Sequence, residues 1–528
     1  MSKPKINIVW FKRDLRIEDH TALCMAAKEG LVLPIFSWDP LVWSSLEYSK
    51  QHVMFVRECL DALKKDFEGI GLQLFESFDG MINILNSLKE TYHITGLFSH
   101  QETGNQNSYF LDTSVATWCQ NHQIPWHEFP QNGVIRALKN RDDWQWLKEK
   151  RMAIPINSKP KVEGIRIEGY QYLEASFKKA QHLNKIEPDK PFRQKGGRFY
   201  ALAMLNSFLN GRASKYRGGI SSPISAIDAG SRISPYLAWG VLSIKEVLHA
   251  LAAARVKIKQ NPQKYPVNLE FGLRGFENRL HWHCHFMQKL ESEPTLEYKN
   301  LHRALEGLRD ETYQDPEIKE RLDKWKSGNT GWPFVDACMA MLRETGWINF
   351  RMRAMLMSNA SYLFWLHWRE PGLHLAREFL DYEPGIHWPQ VQMQSGTTGI
   401  NAIRIYNPIK QAREQDPNGD FVRKWVPALR HLSNNWIFEP WLMTPELQRE
   451  FKCIIGKDYP APLINFETAY REAKRKMQNI RKNKNFSQET NRIIKKHASR
   501  KGITKRNFSK KMIQKESIQG NKDQLALF

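Results

Sequence analysis

A short segment near the middle of the chain carries residue types that bind phosphate. Gly230-Ser231-Arg232-Ile233-Ser234-Pro235 combines two hydroxyls with a guanidinium, and an apolar helical pattern follows it. Unpaired backbone N–H groups at a helix N-terminus attract anions. Tyr216-Arg217-Gly218-Gly219, just before it, adds a cation and a flexible approach. The segment indicates a phosphate site, although a serine that merely caps a helix would give the same pattern.

A second segment, residues 277–285, is rich in histidine. His281, His283 and His285 occupy alternate positions, and alternate residues do not share one face of a helix. Only His281 and His285 are helical neighbours, and the sequence offers no third ligand within reach. We therefore expect no metal site here. Trp282, among these polar groups, is a candidate aromatic side chain of a cleft.

Two kinds of domain must position these segments. Short apolar runs, typical of buried parallel strands, occur at residues 6–11, 31–36 and 96–99. Helical patterns lie between them, which predicts a parallel, Rossmann-like α/β domain over residues 1–130. Prolines punctuate a polar connector over residues 131–199. Helical periodicity dominates residues 200–470 and predicts an all-α domain.

Composition excludes several classes of protein. The chain has 528 residues, of which 41% are hydrophobic and 25% charged, as in ordinary globular proteins. No apolar run reaches the roughly 18 residues of a membrane helix, and no signal-peptide pattern precedes the first strand. Six cysteines without a C-x-x-C pair argue against a disulfide framework, a zinc ribbon and an iron–sulfur site. We expect a protein of the reducing cytosol.

The net charge of +22 is concentrated at the end of the chain. Residues 471–528 contain 18 Lys and Arg against 4 Asp and Glu, with few large apolar residues. This composition predicts a basic tail that is disordered or forms short transient helices. Nucleic acid is the expected partner, because the tail lacks the wide apolar face that a membrane surface would require. A tail that only increases solubility is the alternative.

The ordered motifs of the chain resemble the photolyase/cryptochrome family. They are VWFKRDLRIED at 9–19, the Ser231-Arg232-x-Ser234 motif, and the segments 331–337, 346–353 and 404–408. The resemblance spans residues 5–445. It implies an antenna-type α/β domain followed by an all-α domain that binds FAD. Family photolyases flip a UV-damaged pyrimidine dimer out of DNA and split it by electron transfer from light-excited reduced flavin.

The resemblance assigns roles to individual residues. The residues that correspond to flavin-binding positions are Tyr216, Ser231, Arg232, Ser234, Arg353, Asp381 and Glu383. Arg353 and Asp381 match an ion pair beside the flavin ring, and Trp282 matches an aromatic that packs against the dimer. Arg279, Arg351 and Arg404 occupy positions on the DNA side. No metal is implied. A second antenna chromophore, a folate or a deazaflavin, is expected from the family without being identified by these residues.

Some positions depart from the family pattern. Arg279 replaces a Glu that hydrogen-bonds the lesion, and Phe350 and Ala354 replace an Asn and a Met of the lesion pocket. The last two positions hold His in enzymes that repair the (6-4) lesion, so that substrate is disfavoured. Trp368 matches the middle tryptophan of the photoreduction chain. Trp388 substitutes for the proximal one, and Asp315 stands at the distal position with Tyr313 close by.

The last five residues are Gln524-Leu525-Ala526-Leu527-Phe528, similar to the pentapeptide by which bacterial DNA polymerases bind the sliding clamp. Leu and Phe anchors on a flexible arm can insert into an apolar groove. An accidental apolar chain end is the alternative.

The sequence as a whole predicts a monomeric, cytoplasmic, nucleoid-associated photolyase for cyclobutane pyrimidine dimers. A cryptochrome-like photoreceptor and a (6-4) photolyase are the alternatives.

Overall fold

A computed structural model describes residues 3–164, 180–482 and 484–498. It shows an α/β domain followed by a helical domain, which confirms the predicted fold class. The strands are β1 Lys5–Phe11, β2 Val32–Ser37, β3 Phe75–Ser77, β4 His93–His100 and β5 Trp126–Phe129. The longer helices that accompany them are α1 Thr21–Glu29, α2 Lys50–Glu68, α3 Met81–Thr91, α4 Gln106–Asn121 and α5 Trp144–Met152.

The five strands form one parallel sheet in the order β3-β2-β1-β4-β5. Its central strand, β1, pairs with β2 and β4, so that Val9 lies opposite Pro34 on one side and Phe98 on the other. Apolar side chains of β1 are buried on both faces, as helices on both sides of a parallel sheet require. The strand order reverses at β1, and ligands bind at such a point, beyond the carboxyl ends of the strands.

The helical domain follows the connector. Its helices of eight or more residues are α6 Arg198–Asn210, α7 Ile244–Gln260, α8 Leu269–Ser292, α9 Pro316–Ser327, α10 Pro333–Thr345, α11 Phe350–Ser358, α12 Arg369–Glu378, α13 Pro384–Ser395, α14 Pro408–Gln415, α15 Phe466–Arg481 and α16 Lys484–His497. The long helix α8 packs along α13, and α13 also packs on α11. No helix in the described residues is long and apolar enough to span a bilayer.

The two domains share a continuous interface. Arg13, just beyond β1, donates hydrogen bonds to the carbonyl oxygens of Ala238 and Tyr382 at 3.0 Å each. His52 of α2 bonds the carbonyl oxygen of Phe379 at 2.8 Å. Apolar side chains from α2, α6, α7 and α8 belong to one buried cluster. The residue that follows the carboxyl end of β1 therefore contacts the helical domain directly.

The helical pattern after residue 234 is interrupted. A five-residue turn, Ser234–Ala238, ends before α7 begins, whereas the periodicity predicted one helix. Gly240 has φ +62°, and a Cβ atom there would lie 2.1 Å from the carbonyl oxygen of Arg13. The chain must turn at this glycine to approach β1. Ser243 then caps α7 by accepting the N–H of Glu246 at 2.8 Å.

The first part of the predicted basic tail is helical and packed. Disorder or short transient helices were expected from residue 471, and the structure has α15 and α16 there, packed on the domain. Ala473 and Met477 of α15 are buried beside Tyr362, and Ile493 of α16 is buried among leucines. Average composition hides such a narrow apolar stripe between exposed lysines and arginines. Residues 499–528, including the clamp-like pentapeptide, lie outside the described residues.

Candidate functional site

The predicted pair of Arg353 and Asp381 forms a bidentate ion pair. Arg353 Nη1 and Nη2 donate to the two Asp381 oxygens at 2.9 and 3.1 Å, and Nε donates to the Ile348 carbonyl at 2.8 Å. The guanidinium lies over the Phe379 ring, 4.2 Å from its centroid. Burial would raise the pKa of Asp381, but Arg353 outweighs it and holds the pKa below the usual value. The carboxylate is therefore ionised and fixed in orientation.

The serine–arginine motif joins this ion pair. The Ser234 hydroxyl hydrogen-bonds Asp381. Arg232 has φ +60° and stacks on Trp347, with its guanidinium carbon 3.8 Å from the ring centroid. Burial lowers the pKa of Arg232 to about 10. Segments far apart in sequence thus converge on one cluster: Arg232, Ser234, Arg353 and Asp381. Trp347 belongs to a recognised motif, but its stacking role was not predicted.

The donor set of this cluster fits FAD. Ser231, Ser234 and Arg232 offer hydroxyls and a cation suited to a diphosphate, and the Arg353–Asp381 pair suits the polar edge of a flavin ring. Nearby elements also hold buried polar atoms that lack a hydrogen-bond partner among the described residues: Asn349 Oδ1, Arg351 Nε and the Asn359 amide. Buried polar groups are normally paired, so such atoms fit a site that binds a polar cofactor.

The predicted tryptophans lie next to each other. The rings of Trp388 and Trp368 are 5.9 Å apart at an interplanar angle of 70°, and both are fully buried. His387 lies between Trp388 and Tyr382, with ring distances of 4.9 and 5.2 Å. Burial lowers the pKa of His387 to about 3, so its imidazole is neutral. The structure brings the two tryptophans together, and their role in photoreduction stays a prediction.

The distal end of this path differs from a tryptophan chain. Asp315 accepts the N–H of Glu317 at 2.8 Å and starts α9, a structural role. Tyr313 instead donates its hydroxyl to the His367 carbonyl at 2.5 Å. The His367 ring lies 5.3 Å from that of Trp368. Tyr313, which is half-buried, is thus linked to the residue next to Trp368, and its part in photoreduction stays a prediction.

The residues assigned to DNA lie on three elements. Arg279 of α8 hydrogen-bonds Tyr216, and burial lowers the pKa of Arg279. Trp282 is half-buried one turn further on and packs against Phe286 at 5.8 Å. Arg351 is on α11, and the carbonyl of Arg404 accepts the Ser358 hydroxyl of the same helix at 3.1 Å. Helices α8 and α11 both pack on α13.

Glu383 has a partner that the sequence did not suggest. It pairs with Arg13 across the domain interface, at 3.2 Å, rather than with a member of the Arg353–Asp381 cluster. Burial raises the pKa of Glu383 to about 7, although Arg13 opposes the shift. Glu383 Oε1 is buried without a hydrogen-bond partner among the described residues. Its assignment to flavin binding stays a prediction beside this contact between the two domains.

Sequence comparison identifies the family. The model of DNA photolyase matches residues 7–142, and that of the FAD binding domain of DNA photolyase matches residues 276–479. The chain belongs to the photolyase/cryptochrome family. It is 24% identical over 491 residues to a deoxyribodipyrimidine photo-lyase of Alkalihalophilus pseudofirmus, covering 89% of this chain and 97% of that one.

Both branches of the photolyase/cryptochrome family are similar to the chain. Cryptochrome-1 of Anopheles gambiae is 25% identical over 505 residues, covering 87% of this chain and 90% of that one. Among solved structures, a bacterial class III photolyase from Agrobacterium tumefaciens matches with a TM-score of 0.76 and 22% identity. That match covers 92% of this chain and 98% of the other, and it shows the fold.

The structure also has a cavity in the α/β domain that the sequence analysis did not locate. A cavity opens where the strand order reverses, at the carboxyl ends of the central strands. Its lining includes Trp10, Lys12, Trp43, Tyr48, Glu102, Asp112 and Trp239. Trp43 stacks on Trp239, with ring centroids 5.4 Å apart, and Lys12 pairs with Asp112 at 3.0 Å. The position of β1 in the sheet was the signal that could have found it.

Two histidine groups bear on the predicted absence of a metal. His281 Nδ1 lies 3.2 Å from the Lys148 ammonium, and His285 Nδ1 accepts from Arg141 at 2.7 Å. The Nδ1 atom of each of these two histidines thus lies beside a cationic side chain. Elsewhere, Asp14 hydrogen-bonds His100 at 2.7 Å and lies 3.0 Å from His20. These three buried groups lie close enough to share a metal ion.

Proposed function

We propose that the chain is an FAD-dependent enzyme that uses light to split cyclobutane pyrimidine dimers in DNA. The observation that carries the proposal is the convergence of Ser234, Asp381 and Arg353 on one hydrogen-bonded cluster. The adjacent Trp388–Trp368 pair supports the same activity, because reduced flavin must be regenerated from the protein surface.

Individual residues have separable tasks in this mechanism. Ser231, Arg232 and Ser234 hold the phosphates, and the Arg353–Asp381 pair orients the flavin ring and balances its charge. When bound, reduced FAD supplies the light-driven electron transfer that opens the dimer. Trp282 offers an aromatic face to a flipped-out base. Trp388, Trp368 and Tyr313 form a path for electrons from the surface.

The cations of the domain support DNA as the substrate. Arg351 and Arg404 can neutralise backbone phosphates, which contributes affinity without sequence preference. Arg279 brings a positive charge to the position where photolyases of this family carry a carboxylate. A guanidinium there can donate hydrogen bonds to the carbonyl oxygens of a dimer and stabilise negative charge that develops on it.

We also infer that the protein acts in the cytoplasm as a monomer bound to the nucleoid.

Light-dependent repair of an oligonucleotide with one defined cyclobutane dimer tests the proposal. Purified, reduced holoprotein should restore the two thymines in light and leave them linked in the dark. Arg279→Gln should weaken binding of the damaged strand by at least about tenfold, since it removes a charged hydrogen-bond donor. Absence of repair by protein with fully bound, reducible FAD would reject the proposal.

A cryptochrome-like photoreceptor is the second candidate. Arg279, Phe350 and Ala354 favour it, because all three depart from the lesion pocket of the family. It predicts photoreduction without repair, and no preference for damaged over undamaged DNA in the dark. The remaining alternative is a (6-4) photolyase. Light-dependent repair of a second oligonucleotide that carries a (6-4) lesion tests it.

We propose the cavity beyond β1 as the site of a second, antenna chromophore, a folate or a deazaflavin. Its aromatic walls and the buried Lys12 and Asp112 suit a planar, polar ring. The free volume is about 50 Å³, so Trp43 and Trp239 must separate to admit one. A second near-ultraviolet absorption band, lost in Trp43→Asp, is the expected result.

We further propose that Gln524, Leu525, Leu527 and Phe528 bind the replication sliding clamp. Tethering there would raise the local concentration of the enzyme on DNA. Deletion of Leu527 and Phe528 should abolish clamp binding and leave repair of the free oligonucleotide intact. Unchanged clamp binding would show that these residues are an accidental chain end.

A further inference from the structure

Gln194, near the end of the connector, has no role in the function proposed above, yet it holds one of the cofactor-site residues. Its side-chain Nε2 donates a hydrogen bond to the carbonyl oxygen of Arg232 at 2.8 Å. Its Oε1 accepts the Nε N–H of the same arginine at 3.1 Å. One glutamine therefore fixes both the backbone and the side chain of Arg232.

Arg232 has a backbone conformation that arginine rarely adopts. Its φ of +60° lies in the left-handed region, where a side chain with a Cβ atom is strained. Such a conformation persists only where surrounding contacts impose it. The hydrogen bond from Gln194 to the Arg232 carbonyl is one of these contacts. Stacking of the guanidinium on Trp347, at 3.8 Å, is another.

One edge of the Arg232 guanidinium is left for a ligand. Gln194 engages Nε and Trp347 covers a face, whereas the two Nη atoms make no hydrogen bond with the described residues. Arg353 and Asp381 both act electrostatically on Arg232, so two guanidinium groups share one carboxylate. A positively charged cluster with free, planar N–H donors suits phosphate oxygens.

Gln194 is itself tied to the α/β domain. Arg193 Nη1 donates to the Gln194 carbonyl at 3.0 Å. The Arg193 guanidinium also bonds both carboxylate oxygens of Glu58 in α2, at 2.8 and 3.0 Å, and both of Asp189, at 2.7 and 2.8 Å. The position of Gln194 is thus set from the α/β domain, while its amide acts on the helical domain.

We propose that Gln194 is a positioning residue for FAD, which orients the Arg232 guanidinium towards the diphosphate of the cofactor. Glu58 and Arg193 hold Gln194 in place, so the α/β domain contributes to cofactor binding in the helical domain. The proposal rests on the FAD-binding part of the proposed function. It does not require that the protein repairs DNA.

Release of FAD from the purified holoprotein after dilution, followed by flavin fluorescence, tests the proposal. Gln194→Leu should release FAD at least about fivefold faster than the wild type, because both hydrogen bonds to Arg232 are lost. Arg232→Met should release it at least as fast. The double variant should be no faster than Arg232→Met alone, since Gln194 acts through that arginine. Additive effects of the two substitutions would overturn the proposal.

Gln288→Leu is the matched control. The buried Gln288 amide likewise bonds the N–H and the carbonyl of one residue, Ile135, at 2.7 and 3.1 Å. Gln288→Leu and Gln194→Leu should both lower the melting temperature, but only Gln194→Leu should accelerate FAD release. Equally fast release from both variants would reduce Gln194 to a residue that merely stabilises the fold.

Phosphorus NMR of the bound cofactor provides a readout that a merely structural role would not move. Gln194→Leu and Arg232→Met should shift the same diphosphate resonance, and Gln288→Leu should shift neither. Gln194→Glu keeps an acceptor for Nε but adds a negative charge, so FAD release should rise less steeply with salt than in the wild type. A wild-type phosphorus spectrum in Gln194→Leu would contradict the proposal. None of these measurements involves DNA, so a protein that repairs no lesion gives the same results.

Discussion

At the scale of single residues, the candidate site depends on a few buried side chains. Trp388 makes the most specific contacts among them. Its ring touches Trp368 and lies under the Arg369 guanidinium at 4.2 Å. Trp388→Phe should slow photoreduction of bound flavin by at least about tenfold while FAD content stays unchanged, because phenylalanine preserves packing but is much harder to oxidise. Absorbance during blue illumination measures the rate. The matched control is Trp325→Phe, another fully buried tryptophan outside the path; equal rates in all three proteins would remove Trp388 from it.

The carboxylate of Asp381 is the counter-charge of the Arg353 guanidinium. Asp381→Asn keeps the shape but leaves Arg353 without its counter-charge, which should destabilise the fold by about 3 kcal/mol. FAD should also dissociate more readily, since the guanidinium loses its fixed orientation. Urea unfolding and the flavin fluorescence released on dilution report the two effects. Asp323→Asn, an exposed acid of α9, should change neither.

At the scale of elements, the two C-terminal helices are part of the helical domain. Ending the chain after residue 498 should leave the melting temperature unchanged. Ending it after residue 482 removes α16, exposes Leu290, Leu296 and Leu301, and deletes the buried Phe486 and Ile493. We expect a loss of about 3–6 kcal/mol from these two side chains. Equal melting temperatures of the two truncated proteins would show that α16 does not stabilise the domain.

At the scale of the whole molecule, buried histidines make stability depend on pH. Burial lowers the pKa of His52 to about 4 and that of His387 to about 3. Both therefore stay neutral in the fold while the unfolded chain takes up protons below about pH 6.5. Stability falls as pH falls from 7 towards 4, by up to about 1.4 kcal/mol per pH unit for each histidine.

His52→Gln isolates one of these contributions. It keeps a polar side chain near the Phe379 carbonyl but cannot titrate. Urea midpoints at pH 7, 6 and 5 should therefore decline less steeply than those of the wild type. An identical decline would mean that His52 binds its proton equally well in the folded and unfolded chain.

Local patterns in the sequence were sufficient for the architecture. Apolar runs at β1, β2 and β4 predicted the parallel sheet, because strands that are buried on both faces are mostly apolar along their whole length. The Ser231–Ser234 motif and the Arg353 and Asp381 positions were found by resemblance, and the fold brings Ser234, Arg353 and Asp381 together. The apolar runs and the motifs can be read from short segments by themselves.

Contacts between distant segments could be decided only by the tertiary structure. Glu383 forms an ion pair with Arg13 across the domain interface. The helix before α7 ends near Gly240, because the backbone of Arg13 lies against this glycine. Lys289 and Arg141, 148 positions apart, became neighbours when α8 packed against the connector. Periodicity reports which face of an element is buried, but not what lies against that face. Pairing of charges and close backbone approaches depend on that second surface.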